Sequence, residues 1–340
     1  MTLILLALLS ATLVRAMIRL GALDHPVARS SHTQPTPKGG GVGIVAAFIT
    51  GLLVLYATAP HPSLPNLPFL GLIVASILIA AISYTDDLRD FPFHIKLAAQ
   101  FAASLVAIAC GIRFQTLHIP WIGALPTGWL GIPLTAAWIV FATNAVNFID
   151  GLNGLASGSA AIACLFLAAI AHTQHDWFVQ TACLVLAAGI AGFLPFNYPR
   201  ARIFMGDVGS QFCGFVLAAL GVLASRYGSE TLSVLLVPML LFGILFDVVF
   251  TLLRRGLAGE NITQAHRGHL YQVAQRAGLP AWAVTLVHWG MVVVGGLTCI
   301  GFTAAHGPLK PLIPVCVLLG QLAWLAVVRQ LARKAGLKTW

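Results

Sequence analysis

The chain has 340 residues, 59% of them hydrophobic and only 9% charged, with a mean hydropathy of +0.90, which excludes an ordinary soluble domain and reads as an all-α polytopic integral membrane protein. The formal net charge of +9 has no basic run interleaved with aromatics to go with it, so no nucleic-acid partner is expected. Cys110, Cys164, Cys183, Cys213, Cys299 and Cys316 all lie in apolar runs without a CxxC pair, which points away from both a disulfide framework and a zinc site.

Residues 1–20 are apolar like a signal peptide, but no Lys or Arg precedes the apolar part, whereas Arg15 and Arg19 follow it. That order favours a first spanning helix. Apolar windows of membrane-spanning length recur near 40–58, 68–85, 95–111, 131–147, 155–172, 177–194, 208–225, 231–253, 282–303 and 311–330, giving about eleven transmembrane helices in all. No hydrophilic stretch is long enough for a second domain. The expectation is one transmembrane domain over 1–340, its working loops at 21–39, 86–94, 147–154, 195–207 and 254–281. Sixteen of the nineteen Lys and Arg fall at alternate junctions, leaving Arg113, Arg226 and Lys310 on the other face. This bias puts the N-terminus outside and the C-terminus in the cytoplasm. Among the outer connections, residues 60–65 read as a turn and 112–130 as a hairpin.

The acids divide the same way. Asp24, Asp86, Asp87, Asp90, Asp150, Asp207, Asp247 and Glu260 fall on the cytoplasmic side, with Asp176 and Glu230 outside. The first inner loop, Asp24 to Gly41, combines Arg29, Lys38 and three Gly at a helix start; this suits a phosphate, or serves as a positive-inside anchor. Asp86-Asp87-Leu88-Arg89-Asp90 closes a helix at the unfavourable end of its dipole. A bound cation, or a phosphate proton to accept, would account for Asp86 and Asp87, whereas Asp90 suits the start of the next helix. Within the stretch Asn144 to Gly154 the apolar run ending at Val146 stops at Asn147, Asp150, Gly151, Asn153 and Gly154, a break expected only where backbone is buried in protein or lines a polar cavity. A plain turn would explain one Asn and one Gly, not all five residues. Between Asn197 and Ser210, Arg200, Arg202 and Asp207 at a helix start suit either an ordinary N-cap or a metal-bound pyrophosphate. Asp247 reads equally as partner of Arg254 and Arg255 or as catalytic. His266 and His269 fall on one face of a short predicted helix, suited to substrate hydrogen bonding more than to zinc.

Taken together, these residues resemble the polyprenyl-phosphate N-acetylhexosamine-1-phosphate transferases, glycosyltransferase family 4, which include undecaprenyl-phosphate GlcNAc-1-phosphate and muramoyl-pentapeptide transferases. The resemblance runs from Asp24 to about Ala277 and is carried by Asp86-Asp87 with Lys96 and Gln100, Asn144 to Gly154, Asn197 to Ser210, and Asp247 to Arg255. It implies a bacterial inner-membrane enzyme with its active site facing the cytoplasm. Such an enzyme moves a sugar 1-phosphate from a UDP-sugar to a polyprenyl phosphate, releasing UMP, with Mg²⁺ required. It also implies roles: Asp207 as metal ligand, with Asp87 and Asp150 as further candidates; Asp86 and Asp87 positioning and deprotonating the lipid phosphate; and Asp150 completing the acidic centre. Lys38, Asn147, Gly151, Leu152, Asn153, Asn197, Phe204, Met205, Arg267 and His269 would bind nucleotide and sugar. A homodimer is the oligomer considered.

Asn153 departs from the muramoyl enzymes, which carry Asp there. His266-Arg267-Gly268-His269-Leu270-Tyr271-Gln272 retains only Arg267 and His269 of the family's Asp-Arg-x-His-x-His-His. The departure resembles the branch that initiates O-antigen chains, and Tyr271 and Gln272 are expected to favour a UDP-N-acetyl-6-deoxyhexosamine over UDP-GlcNAc. Rival readings are a transporter, which would place acids near the bilayer midplane, a prenyltransferase, which would not need the Gly-rich Asp150 and Asp207 loops, and a structural membrane protein, which would not need acids gathered on one face.

Overall fold

A computed structural model describes the chain except for residues 27–33, 59–64, 120–121, 228–233, 265, 306, 308–309 and 338–340. Arg29, Glu230, Lys338, Pro120 and most of the 60–65 turn therefore lie outside the described residues. The fold is almost wholly helical. In chain order come α1 (Thr2–Leu20), a two-residue strand pair β1 (Leu23–Asp24) and β2 (Thr36–Pro37), α2 (Gly41–Thr58), α3 (Asn66–Arg89) and α4 (Phe93–Ala109). The hairpin β3 (Thr116–Ile119) and β4 (Gly123–Pro126) follows where the 112–130 connection is expected. Then come α5 (Gly131–Phe148), α6 (Leu155–Thr173), α7 (Trp177–Asn197), α8 (Asp207–Tyr227), the short α9 (Leu236–Leu240), α10 (Phe242–Leu257), α11 (Leu270–Arg276), α12 (Ala281–Ala304) and α13 (Val315–Lys334).

Among the described residues nine helices are long and apolar enough to cross a membrane, not the eleven expected. Two windows account for the difference. Phe93–Ala109 is apolar but has only 17 residues. The 231–253 window is divided between α9 and α10 at Leu241, with Pro238 and Gly243 on either side, so its continuous hydropathy hides a break.

Helix α8 forms the centre, packed against α2, α3, α5, α6 and α7 and buried along nearly its whole length. Phe212 meets Phe48 of α2 edge to face at 5.5 Å, and Gly209 approaches Gly41 so closely that a Cβ on Gly41 would stand 2.2 Å from the Gly209 Cα. This contact sets the starts of α2 and α8 side by side. Helix α5 ends at Phe148, one residue beyond the expected window of 131–147, and Asn144 and Asn147 in its last turns find partners on neighbouring helices.

Candidate active site

Two adjacent acids at the end of α3 require compensation, since they face the negative end of their own helix dipole. For Asp87 another helix supplies it. Its Oδ1 and Oδ2 accept the backbone N–H groups of Asp207 and Val208, each at 3.0 Å, so Asp87 caps α8 from a distant part of the chain. Gly206, at φ 76°, permits the approach: a Cβ there would stand 2.6 Å from Asp87 Oδ2. Asp86 accepts the Phe91 N–H at 2.7 Å on Oδ1 and meets Lys96 Nζ at 2.5 Å on Oδ2. The pair is thus partly explained by structure, where the sequence suggested a bound cation or a phosphate proton to accept.

Asp207 opens α8. Its Oδ1 accepts from Asn147 Nδ2 (3.0 Å), and its Oδ2 accepts from Gln211 Nε2 (3.1 Å) and lies 3.4 Å from Lys96 Nζ. Asn147 also donates to Ser210 Oγ at 2.9 Å. The Lys96 ammonium therefore sits between two carboxylates, Asp86 and Asp207. Asp150 lies in the turn after α5, and among the described residues no hydrogen-bond donor reaches its carboxyl. Its surroundings in the protein, then the Asp207 and Asp87 charges, push that carboxyl well above the usual carboxylate range.

The 151–154 turn is fastened from two sides. Asn197 accepts the Gly154 N–H at 2.6 Å and donates to the Ile203 carbonyl at 3.0 Å, while Asn153 donates to the Pro199 carbonyl at 3.2 Å. From α12, Thr285 donates to the Asn153 carbonyl (3.1 Å) and Trp289 to the Gly154 carbonyl (3.0 Å).

These elements enclose a cavity of about 360 Å³. Of the expected site residues, Lys38, Asp86, Asp87, Asn147, Asp150, Gly151, Leu152, Asn153, Asn197, Phe204 and Asp207 line it. They are joined by Asp24, Asp90, Lys96, Gly206, His266 and Gln272. Asp90, expected at the start of the next helix, instead caps the end of α3 and lines the cavity, with Lys38 Nζ 4.0 Å away.

Met205, Arg267 and His269 do not line the cavity. Met205 is buried against Gly209, and its carbonyl accepts the Gly41 N–H at 2.8 Å, so it locks α2 to α8. His269 caps α11, which begins only at Leu270, and its ring lies 3.1 Å from Asp247. Arg267 stands in the same loop, its carbonyl taken by Arg276. Tyr271, expected at the sugar, is 1% exposed behind Gly151 and donates to the Phe148 carbonyl at 3.0 Å. Asp247 also accepts the Leu270 and Tyr271 N–H groups at 2.9 and 3.1 Å, while Arg255 pairs with Glu260 at 2.9 Å. Gln211 was missed; its signal is a Gln one helical turn after Asp207 in an otherwise apolar run.

Among the described residues no three His, Cys, Asp or Glu side chains converge as a ready-made metal cage. The acids do fit a hard cation that takes one or two carboxylates and completes its shell with ligand phosphate oxygens. The Lys96 ammonium, held between Asp86 and Asp207, shows that positive charge is favoured there.

Residues 69–225 match the sequence model of glycosyl transferase family 4. The chain is 30% identical over 269 residues to the probable undecaprenyl-phosphate N-acetylglucosaminyl 1-phosphate transferase of Bacillus subtilis (strain 168), covering 78% of this chain and 73% of that protein. It is 32% identical over 314 residues to the decaprenyl-phosphate N-acetylglucosaminephosphotransferase of Mycobacterium tuberculosis (strain ATCC 25618 / H37Rv), covering 84% and 77%. To the phospho-N-acetylmuramoyl-pentapeptide-transferase of Levilactobacillus brevis it is 31% identical over 277 residues, covering 77% and 83%.

Proposed function

The chain belongs to glycosyl transferase family 4, and on that premise we propose that it transfers an N-acetylhexosamine 1-phosphate from a UDP-sugar to a polyprenyl phosphate such as undecaprenyl phosphate. The observation that carries this reading is the meeting of Asp86, Asp87, Asp150 and Asp207 with Lys38, Lys96 and three Asn in one cavity at the ends of apolar helices. Phosphoryl transfer asks a protein for positioning and charge neutralisation more than for covalent chemistry, and this cavity supplies both.

An oxygen of the acceptor phosphate forms a bond to the β-phosphorus of the donor as the bond from that phosphorus to the bridging oxygen breaks. The products are lipid-diphospho-sugar and UMP. Lys38 and Lys96 balance phosphate charge. Asp86, beside Lys96, orients the acceptor and takes its proton where it carries one, with Asp87 holding the start of α8 in place. Asn147, Gly151, Leu152, Asn153, Asn197 and Phe204 shape the pocket for uridine and sugar. Mg²⁺, held by Asp207 with Asp87 or Asp150 as further candidates, would neutralise the pyrophosphate when bound. Of Arg267, His269, Tyr271 and Gln272, expected to read the sugar, the cavity lining supports Gln272, with His266 beside it.

The finer reading is a single domain crossing a bacterial inner membrane, N-terminus outside, with the cavity open to the cytoplasm. There it would initiate O-antigen or another envelope glycan, from UDP-GlcNAc or a UDP-N-acetyl-6-deoxyhexosamine. The test is UMP release from a panel of UDP-sugars with undecaprenyl phosphate. Release that requires both lipid and Mg²⁺ is expected, and no release from any UDP-sugar would overturn the assignment.

A further inference from the structure

Behind Asp207, on the side away from the cavity, four side chains from three helices are joined in a row. Asn144 Nδ2 of α5 donates to Gln100 Oε1 of α4 at 2.5 Å. Gln100 Nε2 donates to Gln211 Oε1 of α8 at 3.0 Å and back to Asn144 Oδ1 at 3.3 Å. Gln211 Nε2 donates to Asp207 Oδ2 at 3.1 Å. Gln100 and Gln211 are 2% and 3% exposed, and the far end is anchored by Asn144 on the Val140 carbonyl at 2.8 Å.

The direction of the row follows from chemistry. An ionised carboxylate only accepts hydrogen bonds, so Gln211 must turn its NH₂ towards Asp207. Its carbonyl then faces Gln100, which must in turn donate, and the same constraint passes to Asn144. Gln100 and Asn144 exchange hydrogen bonds with each other, so the pair fixes the Gln100 amide towards Gln211 and, through it, the Gln211 NH₂ towards Asp207. Buried amides among apolar helices are costly to leave unpaired, so the row holds its geometry. With Asn147 on Oδ1 and Gln211 on Oδ2, the Asp207 carboxylate cannot rotate freely.

We propose that Gln211, Gln100 and Asn144 are positioning residues that clamp the Asp207 carboxylate in the orientation in which it takes a divalent cation. The inference rests on the proposed role of Asp207 as metal ligand and adds that its affinity is set from within the helix bundle. Groups that orient a metal ligand from behind are typically worth 10- to 100-fold in metal affinity, roughly the effect expected here.

The experiment is a Mn²⁺ titration of the purified full chain followed by electron paramagnetic resonance, which needs neither donor nor acceptor. Gln211→Leu should weaken Mn²⁺ binding by about tenfold or more, with the UDP-sugar KM at saturating metal unchanged. Gln100→Leu, which leaves the last hydrogen bond in place but removes its support, should give a smaller loss. The double variant should match Gln211→Leu, since both changes act through one row. Thermal unfolding of each variant separates this from folding: a merely structural role lowers Tm without altering Mn²⁺ affinity of the folded protein. Unchanged affinity in both single variants, with the wild type binding Mn²⁺, overturns the inference alone. A wild type that binds no Mn²⁺, alone or with UMP added to supply phosphate oxygens, overturns the metal reading and the inference with it.

Discussion

Asp87 and Asp247 use the same device for different ends. Each lies on one helix and caps another: Asp87 takes two N–H groups at the start of α8, and Asp247 takes two at the start of α11. Both are buried. What separates them is the company on the open side. Asp87 faces a cavity that also holds Lys96, Asp86, Asp150 and Asp207, whereas Asp247 is closed over by His269 and Thr251. Burial and helix capping therefore do not single out the acids of the proposed centre; shared access to a cavity does.

The comparison breaks most visibly at the acid that Asp87 holds in place. Asp207→Ala should cut UMP release by at least about 100-fold, read on the folded fraction, because Asn147 and Gln211 lose their acceptor and stability falls by about 1–3 kcal/mol. Near-normal Mg²⁺-dependent turnover would remove Asp207 from the centre. On the closed side, Asp247→Ala should cost about 3 kcal/mol of stability, since it strands buried partners. Thermal unfolding in detergent reads this, and the folded fraction should keep its kcat. Asp87→Ala, by contrast, should lower both.

A smaller effect sharpens the boundary between the two regions. Gln272 lines the cavity while its neighbour Tyr271 does not. Gln272→His should shift the ratio of kcat/KM between 6-deoxy and GlcNAc donors by up to about tenfold. A constant ratio would mean that the sugar is not read there. Tyr271→Phe should cost about 1 kcal/mol through its lost hydrogen bond to Phe148 and leave the donor ratio alone.

Much of the site is legible in the sequence because acids and Gly at the ends of apolar runs have few structural explanations. Asp86, Asp150, Gly151 and Asp207 stand out for that reason. What escapes is pairing across distance. Nothing local says that Asp87 caps a helix 120 residues on, or that Asn144 of α5 pairs with Gln100 of α4. Met205 and Tyr271 sit beside true lining residues, yet chain adjacency does not decide which side of a turn faces the cavity. The α9–α10 break escapes for a related reason: hydropathy reports the solvent a segment prefers, not the direction of its backbone.

The stretch matching the family model, residues 69–225, contains all four acids around Lys96, but two of the hydrogen bonds that fasten the 151–154 turn come from Thr285 and Trp289 of α12. The acidic centre is therefore not a portable module. A chain cut after Arg226 would keep every acid of the cavity and lose part of its floor, and the missing support would have to return as a second, separately expressed fragment reassembling beside it in the bilayer.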